Sequence, residues 1–454
     1  MSFAVAQVKV LAAAGAGAVV HHHGNAEAIL QHLRLEPPGD VAGAARRVGH
    51  DEPDLPVGPR GLGEGRHGQR HGKPGQEVAA ADHRCLPNTV RMANVRSKKD
   101  SRAARKPFPA PAPHATTAAM DYRPLGRSGL KVSPLCLGTM MFGGPTAEPD
   151  AGRILGHARE AGINLVDTAN AYNEGRSEEV LGRLIARDRG WWVVATKLAN
   201  PVGAGPNDRG LSRRHCFDAV EASLTRLGIE TIDILYLHKE DHATPLAETV
   251  RAIADLIGQG KVLHFGVSNF RSWRIAEICR LCDEMGVDRP VVSQPLYNAL
   301  NRQAETEHLP ACGFYGLGVA PYSPLARGVL TGKYATQAPP EPETRAGRAD
   351  KRMMETEFRP ESLKIAQVIA EHARGRGLTP GQFAIAWLLN NALVTSPIAG
   401  PRTLEQWREY LGALEYRFTA EDEALVDGLV AAGHPSTPGY NDPQYPIEGR
   451  PIRG

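Results

Sequence analysis

The sequence predicts a (β/α)8 barrel, the TIM-barrel architecture, over residues 120–454, preceded by an extension of different character over residues 1–119. Three observations carry the prediction. Beyond Met120, eight short apolar runs alternate with amphipathic helical patterns, which is the strand and helix count of that barrel. The stretch is long enough to hold the fold with insertions. A doubly wound open sheet shows the same alternation but needs a Gly-rich turn after its first strand, and none follows here.

In chain order, the run Leu135–Met140 precedes the helical pattern Asp150–Ala161, and Asn164–Thr168 precedes Ser177–Ala186. Trp192–Lys197 leads to Ser212–Leu227, Ile232–His238 to Pro245–Gly258, and Val262–Ser268 to Ser272–Met285. Val291–Gln294 leads to Thr306–Tyr315. After Gly318–Tyr322 comes a longer insert with helices Glu361–Gly375 and Pro380–Asn390, the second capped by Thr379. Thr395–Ile398 is the last strand, and Thr403–Ala413 follows it. Several of these helices open on Ser or Thr, whose side chains accept from the first free backbone N–H groups.

Residues 1–119 hold two aromatics, Phe3 and Phe108, of the chain's 26, but 9 of its 17 histidines. They carry 16 Lys+Arg against 10 Asp+Glu, whereas the remainder carries 37 against 40. So few aromatics cannot build a sizeable core, and the segment reads as low-complexity and disordered. Its motifs do not mature. Residues 2–20 lack a basic region ahead of the apolar run, and Lys9 interrupts that run, so a signal peptide is not expected. Gly15 and Gly17 lack the rest of a dinucleotide fingerprint, and His21, His22 and His23 lack partners at ligand spacing. The basic run from Arg96 to Lys106 has no interleaved aromatics and reads as a solvated tail. The expectation is upstream sequence translated ahead of a natural start at Met120, with a genuine disordered extension as the alternative. No run of 18 uncharged apolar residues occurs, so no spanning helix is predicted. Six widely spaced cysteines fit a reduced, cytoplasmic setting.

In a barrel, functional residues gather at the C-terminal strand ends. The second strand ends Val166-Asp167-Thr168-Ala169-Asn170-Ala171-Tyr172, the third ends Ala195-Thr196-Lys197, and the fourth ends Tyr236-Leu237-His238. Alone, Asp167 reads as a turn cap, Lys197 as a surface charge and His238 as a core histidine. Together they aim an acid, a lysine, a histidine and a tyrosine into one mouth. An ammonium beside a phenol lowers its pKa from about 10, and a carboxylate keeps that ammonium charged. A histidine there orients a substrate oxygen. Such a group delivers a proton to a carbonyl oxygen and needs a hydride source. Cations after strands seven and eight, Arg327, Lys333 and Arg402, suit a pyrophosphate with an extra phosphate; the other reading is a solvated basic loop.

From Tyr122-Arg-Pro-Leu-Gly-Arg-Ser-Gly-Leu-Lys-Val-Ser to about residue 432, the chain resembles the aldo-keto reductases. The resemblance rests on Leu137-Gly-Thr-Met, Asp167-Thr-Ala-Asn-Ala-Tyr172, Ala195-Thr-Lys197, Leu237-His238, Gly266-Val-Ser-Asn-Phe270, Gln294-Pro-Leu-Tyr-Asn298 and Tyr322-Ser-Pro-Leu325. It implies an opening β-hairpin, Tyr172 as general acid, Asp167 and Lys197 as its tuning pair, and His238 as the carbonyl-orienting group. It also implies NADPH across the mouth: Ser268, Asn269 and Gln294 on the carboxamide, Tyr322 against the ring. Thr139, Met140, Ser323, Pro324, Leu325, Gly400 and Gln406 join Asp167, Arg327 and Lys333 in that site. Arg402 resembles the contact to a 2′-phosphate, which favours NADP over NAD.

The family often carries Asn where this chain has Tyr410, and Pro is common where it has His242; the latter sits in a loop, and no metal is expected. Cys279 and Cys282 read as helix packing residues. Met141, Phe142 and Trp191 are expected in an apolar pocket, and the tail 434–454 is expected near the mouth as a substrate-side lid. The implied activity is reduction of an aldehyde or ketone by an NADP-dependent oxidoreductase. The expected partner is a small carbonyl compound, without nucleic acid or membrane; the oligomeric state is not legible. A second reading is an NADPH-sensing regulatory subunit of the kind that accompanies ion channels, and a third gives residues 1–119 a nucleic-acid role.

Overall fold

The computed structural model describes residues 120–334 and 339–447. The readings of residues 1–119 therefore lie outside the described residues. Two short antiparallel strands, β1 (Arg123–Pro124) and β2 (Lys131–Val132), form the opening hairpin. Eight parallel strands follow: β3 (Cys136–Gly138), β4 (Leu165–Asp167), β5 (Val193–Leu198), β6 (Ile232–Leu237), β7 (Val262–Ser268), β8 (Val292–Gln294), β9 (Gly318–Val319) and β10 (Ile398–Ala399). They pair in chain order, with β10 returning beside β3. Backbone N–H groups of Thr395 and Ile398 donate to the carbonyls of Val319 (2.8 Å) and Pro321 (2.9 Å), which joins β9 to the segment leading into β10. The (β/α)8 prediction holds.

Most strands are followed by the expected helix: α1 (Glu148–Glu160), α2 (Arg176–Ile185), α3 (Arg213–Leu227), α4 (Leu246–Gly258), α5 (Ser272–Met285) and α6 (His308–Tyr315). The insert holds α7 (Lys351–Thr356), α8 (Pro360–Gly375) and α9 (Pro380–Asn390); α10 (Leu404–Leu411) and α11 (Ala420–Leu429) close the fold. Thr379 caps α9 in a reciprocal box with Gln382. Two helices have no counterpart in the sequence reading. Asp350 caps the one-turn α7, too short for a clear period, and Thr419 with Asp422 caps α11. The last strand runs over Ile398–Ala399 rather than Thr395–Ile398.

Two cores hold the barrel. Leu165, Ala195, Ile234, Tyr236 and Val292 fill its interior, and Leu125 and Val132 of the hairpin belong to the same cluster, so the hairpin plugs the barrel's N-terminal end. A Cβ at Gly266 would come within 2.8 Å of the Tyr236 ring and 2.7 Å of the Val292 carbonyl, so only glycine lets that tyrosine occupy the interior. A larger core lies between strands and helices. Within it Glu178 of α2, fully buried, accepts from Thr196 Oγ1 of β5 (2.5 Å) and from Arg226 Nε of α3 (2.7 Å). That triad braces the end of β5 beside Lys197. Arg226→Ala leaves a buried carboxylate without its cation and is expected to cost about 3–5 kcal/mol, read as a lower urea midpoint. Among the described residues no helix is long and apolar enough to cross a membrane.

Candidate active site

Register decides which side chains meet. Asp167 pairs with Gly138 and Ala195, Lys197 with Tyr236, and Ser268 with Gln294, so the C-terminal ends of β4 to β8 form one rim. On that rim Lys197, fully buried, donates to Asp167 Oδ1 (2.5 Å), the Thr168 carbonyl (2.7 Å) and the Tyr172 hydroxyl (3.1 Å). Gln294 Nε2 donates to the other Asp167 oxygen at 2.9 Å. Burial alone would lower the lysine pKa, but Asp167 and Tyr172 reverse that and hold it above its ordinary value. The tetrad of the sequence reading is assembled. Its electrostatics differ in one respect: burial raises the Tyr172 pKa by more than Lys197 lowers it, so the phenol keeps its proton at neutral pH.

His238 meets the Tyr172 ring edge-on, with centroids 6.0 Å apart. Burial, then Lys197 and Lys239, bring its pKa down to about 3. Burial likewise brings His308, bonded to Ser293 Oγ at 2.8 Å, down to about 4. Both rings must enter the fold neutral. An unfolded chain binds these protons near pH 6.5, so their contribution is complete above that pH and is lost as acid is added towards 4. The melting temperature is expected to fall across that window, and His308→Gln to flatten part of the fall in a thermal-shift series.

The mouth opens into a cavity of about 470 Å³, a size typical of small-molecule sites. Asp167, Tyr172, His238, Ser268, Asn269 and Gln294 line its reactive end, with Met140 beside them. Tyr322 joins them and donates to Asn269 Oδ1 at 2.9 Å, while Asn269 Nδ2 ties back to the His238 carbonyl (2.9 Å) and Ser268 Oγ (3.0 Å). Asn269, Ser323 and Arg327 all adopt positive φ, at 58°, 57° and 53°, a strained backbone of the kind that collects at functional sites. Ser323, Pro324, Leu325, Arg327 and Lys333 line the far end from one side, and Gly400, Arg402 and Gln406 from the other. Arg402 sits just ahead of α10, its own N–H donating to Gln406 Oε1 at 2.8 Å. Of the predicted set, Thr139 stays behind the wall: it is fully buried, bonded to the Asp167 carbonyl (3.0 Å) and Ser177 (3.1 Å).

Several lining residues were not anticipated. Arg345 from the insert joins Arg327, Lys333 and Arg402, and burial together with this mutual repulsion lowers the Lys333 and Arg345 pKa values. These four cations, besides Arg352, face one cavity, and two of them are depressed by burial and by their neighbours, which suits an anion with several charges. Tyr410, which stands where Asn was expected, also lines this end. Asn200, from the loop after β5, contacts His238. The tail also reaches the mouth. Arg352 clasps Asp442 with two bonds (2.9 and 2.5 Å), Arg271 donates to the Pro446 carbonyl (2.7 Å), and Gln444 and Tyr445 line the cavity.

Three pocket expectations are corrected, since Met141, Phe142 and Trp191 are all absent from the cavity lining. Phe142 is fully buried in the outer core, and Trp191 precedes β5 at the opposite end of the barrel, bonded to the Ile163 carbonyl and under Arg159. Met141 is buried beside Arg345. Cys279 and Cys282 are buried free thiols on α5. His242 contacts Glu240 and Arg274, and no cluster of metal-ligating side chains occurs among the described residues.

The family model described as "Aldo/keto reductase family" matches residues 134–431. Two plant proteins, from Oryza sativa subsp. japonica and Arabidopsis thaliana, each carry the name probable voltage-gated potassium channel subunit beta. Each is 38% identical to this chain over 302 residues, covering 65% of it and 92% of the relative. A Bacillus subtilis (strain 168) protein named uncharacterized oxidoreductase YrpG is 37% identical over 335 residues, 70% of this chain and 98% of its own.

Proposed function

The chain belongs to the aldo/keto reductase family of oxidoreductases, and from that premise we propose that it reduces an aldehyde or ketone to an alcohol with NADPH. The observation that carries this reading is the buried Asp167–Lys197–Tyr172 chain of contacts opening beside His238 into one cavity. The residues at the far end fit a nucleotide with an extra phosphate, since Arg327, Lys333, Arg345 and Arg402 supply four cations against the single carboxylate of Glu343 from the insert. When bound there, the nicotinamide supplies hydride to the carbonyl carbon.

This chain's own residues do the rest. Tyr172 stays protonated because desolvation of its hydroxyl outweighs the pull of Lys197, and it donates from that hydroxyl as charge grows on the carbonyl oxygen. The phenolate left behind sits 3.1 Å from the Lys197 ammonium, which stabilises it, while Asp167 keeps that ammonium charged and aimed. His238, neutral at working pH, donates a second hydrogen bond to the same oxygen. Tyr322, anchored on Asn269, would supply a ring for stacking, and Ser268, Asn269 and Gln294 would hold the carboxamide. The tail closes the substrate side. Tyr445→Ala is expected to raise the carbonyl KM several-fold with NADPH affinity unchanged, measured by steady-state kinetics and fluorescence titration. The compartment we infer is the cytoplasm.

The direct test of the cofactor is fluorescence titration of the full chain with NADPH and with NADH. Binding that favours NADPH at least tenfold supports the reading; equal binding removes the phosphate assignment. The plant relatives' names favour a second reading, a nucleotide-sensing subunit of a potassium channel. It predicts tight NADPH binding with negligible turnover on every carbonyl tried, and co-purification with a membrane protein.

A further inference from the structure

We propose that Asn200 is a positioning residue that holds His238 as the tautomer with its proton on Nε2, so that an N–H rather than a lone pair meets the substrate's carbonyl oxygen. This rests on the carbonyl-reducing reading of the site.

The loop after β5 is built to bring Asn200 there. Ala199, nearly fully buried, adopts a φ of 117°, a conformation that strains an L residue. Its carbonyl accepts from the Gly210 N–H at 2.9 Å, and the His238 N–H donates to the Leu198 carbonyl at 2.9 Å. The second bond ties the end of β6 to the end of β5, and the first closes the loop after β5 on itself. The strain turns Asn200 into the cavity wall, where its Nδ2 lies 3.0 Å from His238 Nδ1.

An amide nitrogen only donates, so Nδ1 accepts, and in a neutral imidazole the proton then sits on Nε2. The cationic ring is opposed by Lys197 and Lys239 and by burial, so tautomer choice is the decision left to the local contacts. The choice matters to the reaction. A carbonyl oxygen has two lone pairs; Tyr172 serves one and Nε2–H the other. With the proton on Nδ1, Nε2 would turn a lone pair towards the oxygen on which negative charge develops.

The experiment uses the full-length protein with 15N-labelled histidine, recording spectra that connect each ring nitrogen to the ring protons, with His238→Gln assigning the signal. The expected spectrum shows a neutral His238 protonated on Nε2 at pH 7. Asn200→Asp offers only acceptors to Nδ1 and should move the proton there; Asn200→Ala removes the constraint and should give a mixture. The kcat for carbonyl reduction should then fall in the order wild type, Ala, Asp, with the Asp variant down about 10²-fold or more, and with NADPH affinity within twofold. A wild-type His238 protonated on Nδ1 overturns the proposal, as does an Asp variant whose spectrum or kcat is unchanged. If no carbonyl is reduced at all, the broader reading fails, and the tautomer spectra still decide the role of Asn200.

Discussion

Replacing Tyr172 with Phe is expected to lower kcat by about 10²–10⁴-fold while NADPH affinity stays within twofold. The substitution removes one oxygen and little else. The ring keeps its edge-on contact with His238 and its place 4.7 Å from the Lys197 ammonium. Lys197 keeps Asp167 and the Thr168 carbonyl as partners, so no buried charge is stranded. What disappears is the proton donor at the one tyrosine whose hydroxyl Lys197 is hydrogen-bonded to among the described residues. Single-turnover kinetics with preformed NADPH complex separate the chemical step from binding. Turnover close to wild type would mean that another group protonates the oxygen.

Arg402→Ala is expected to weaken NADPH binding about 10–100-fold and NADH binding hardly at all. A hydrogen bond to a charged group contributes about 1.5–3 kcal/mol, and about 1.4 kcal/mol corresponds to a factor of ten. The Arg402 side chain is exposed and has no ion-pair partner among the described residues, so its removal frees no buried acid. The folded structure around it is carried by its backbone, through Gln406 and through Thr146 Oγ1 on the Arg402 carbonyl at 3.0 Å. Because the cation is exposed, the NADPH preference should shrink as salt is raised. Equal weakening of both nucleotides would assign Arg402 to a phosphate they share.

The tetrad was legible because Asp167, Lys197 and His238 end runs that read as strands, and Tyr172 follows the first of them within five residues. Once the barrel is accepted, Asp167, Lys197 and His238 must share a rim, and only their register remained to be seen. The far-end cations Arg327, Lys333 and Arg402 were found by the same rule, lying in the loops after the last two strands. Arg345 and Arg352 were not, because the insert reaches the mouth by tertiary packing that no local period encodes; the tail was expected at the mouth, but nothing in the chain singled out Gln444 and Tyr445 as its lining residues. Asn200 carried a usable signal, a polar residue in the loop directly after a strand end. Trp191 and Phe142 show the limit of reading hydrophobic residues as pocket walls. One lies before its strand and so at the wrong end of the barrel, and the other points into the outer core. The direction of the Tyr172 shift was misjudged because the neighbouring ammonium is visible in the chain order and the depth of burial is not.

The measurement that bears most directly on the account is the near-ultraviolet absorbance of NADPH when the full-length protein meets a panel of aldehydes and ketones. The account predicts that NADPH is oxidised in one-to-one proportion to the alcohol formed, and that Tyr172→Phe abolishes the signal. NADPH that binds but persists with every carbonyl would contradict it and leave the nucleotide-sensing reading in its place.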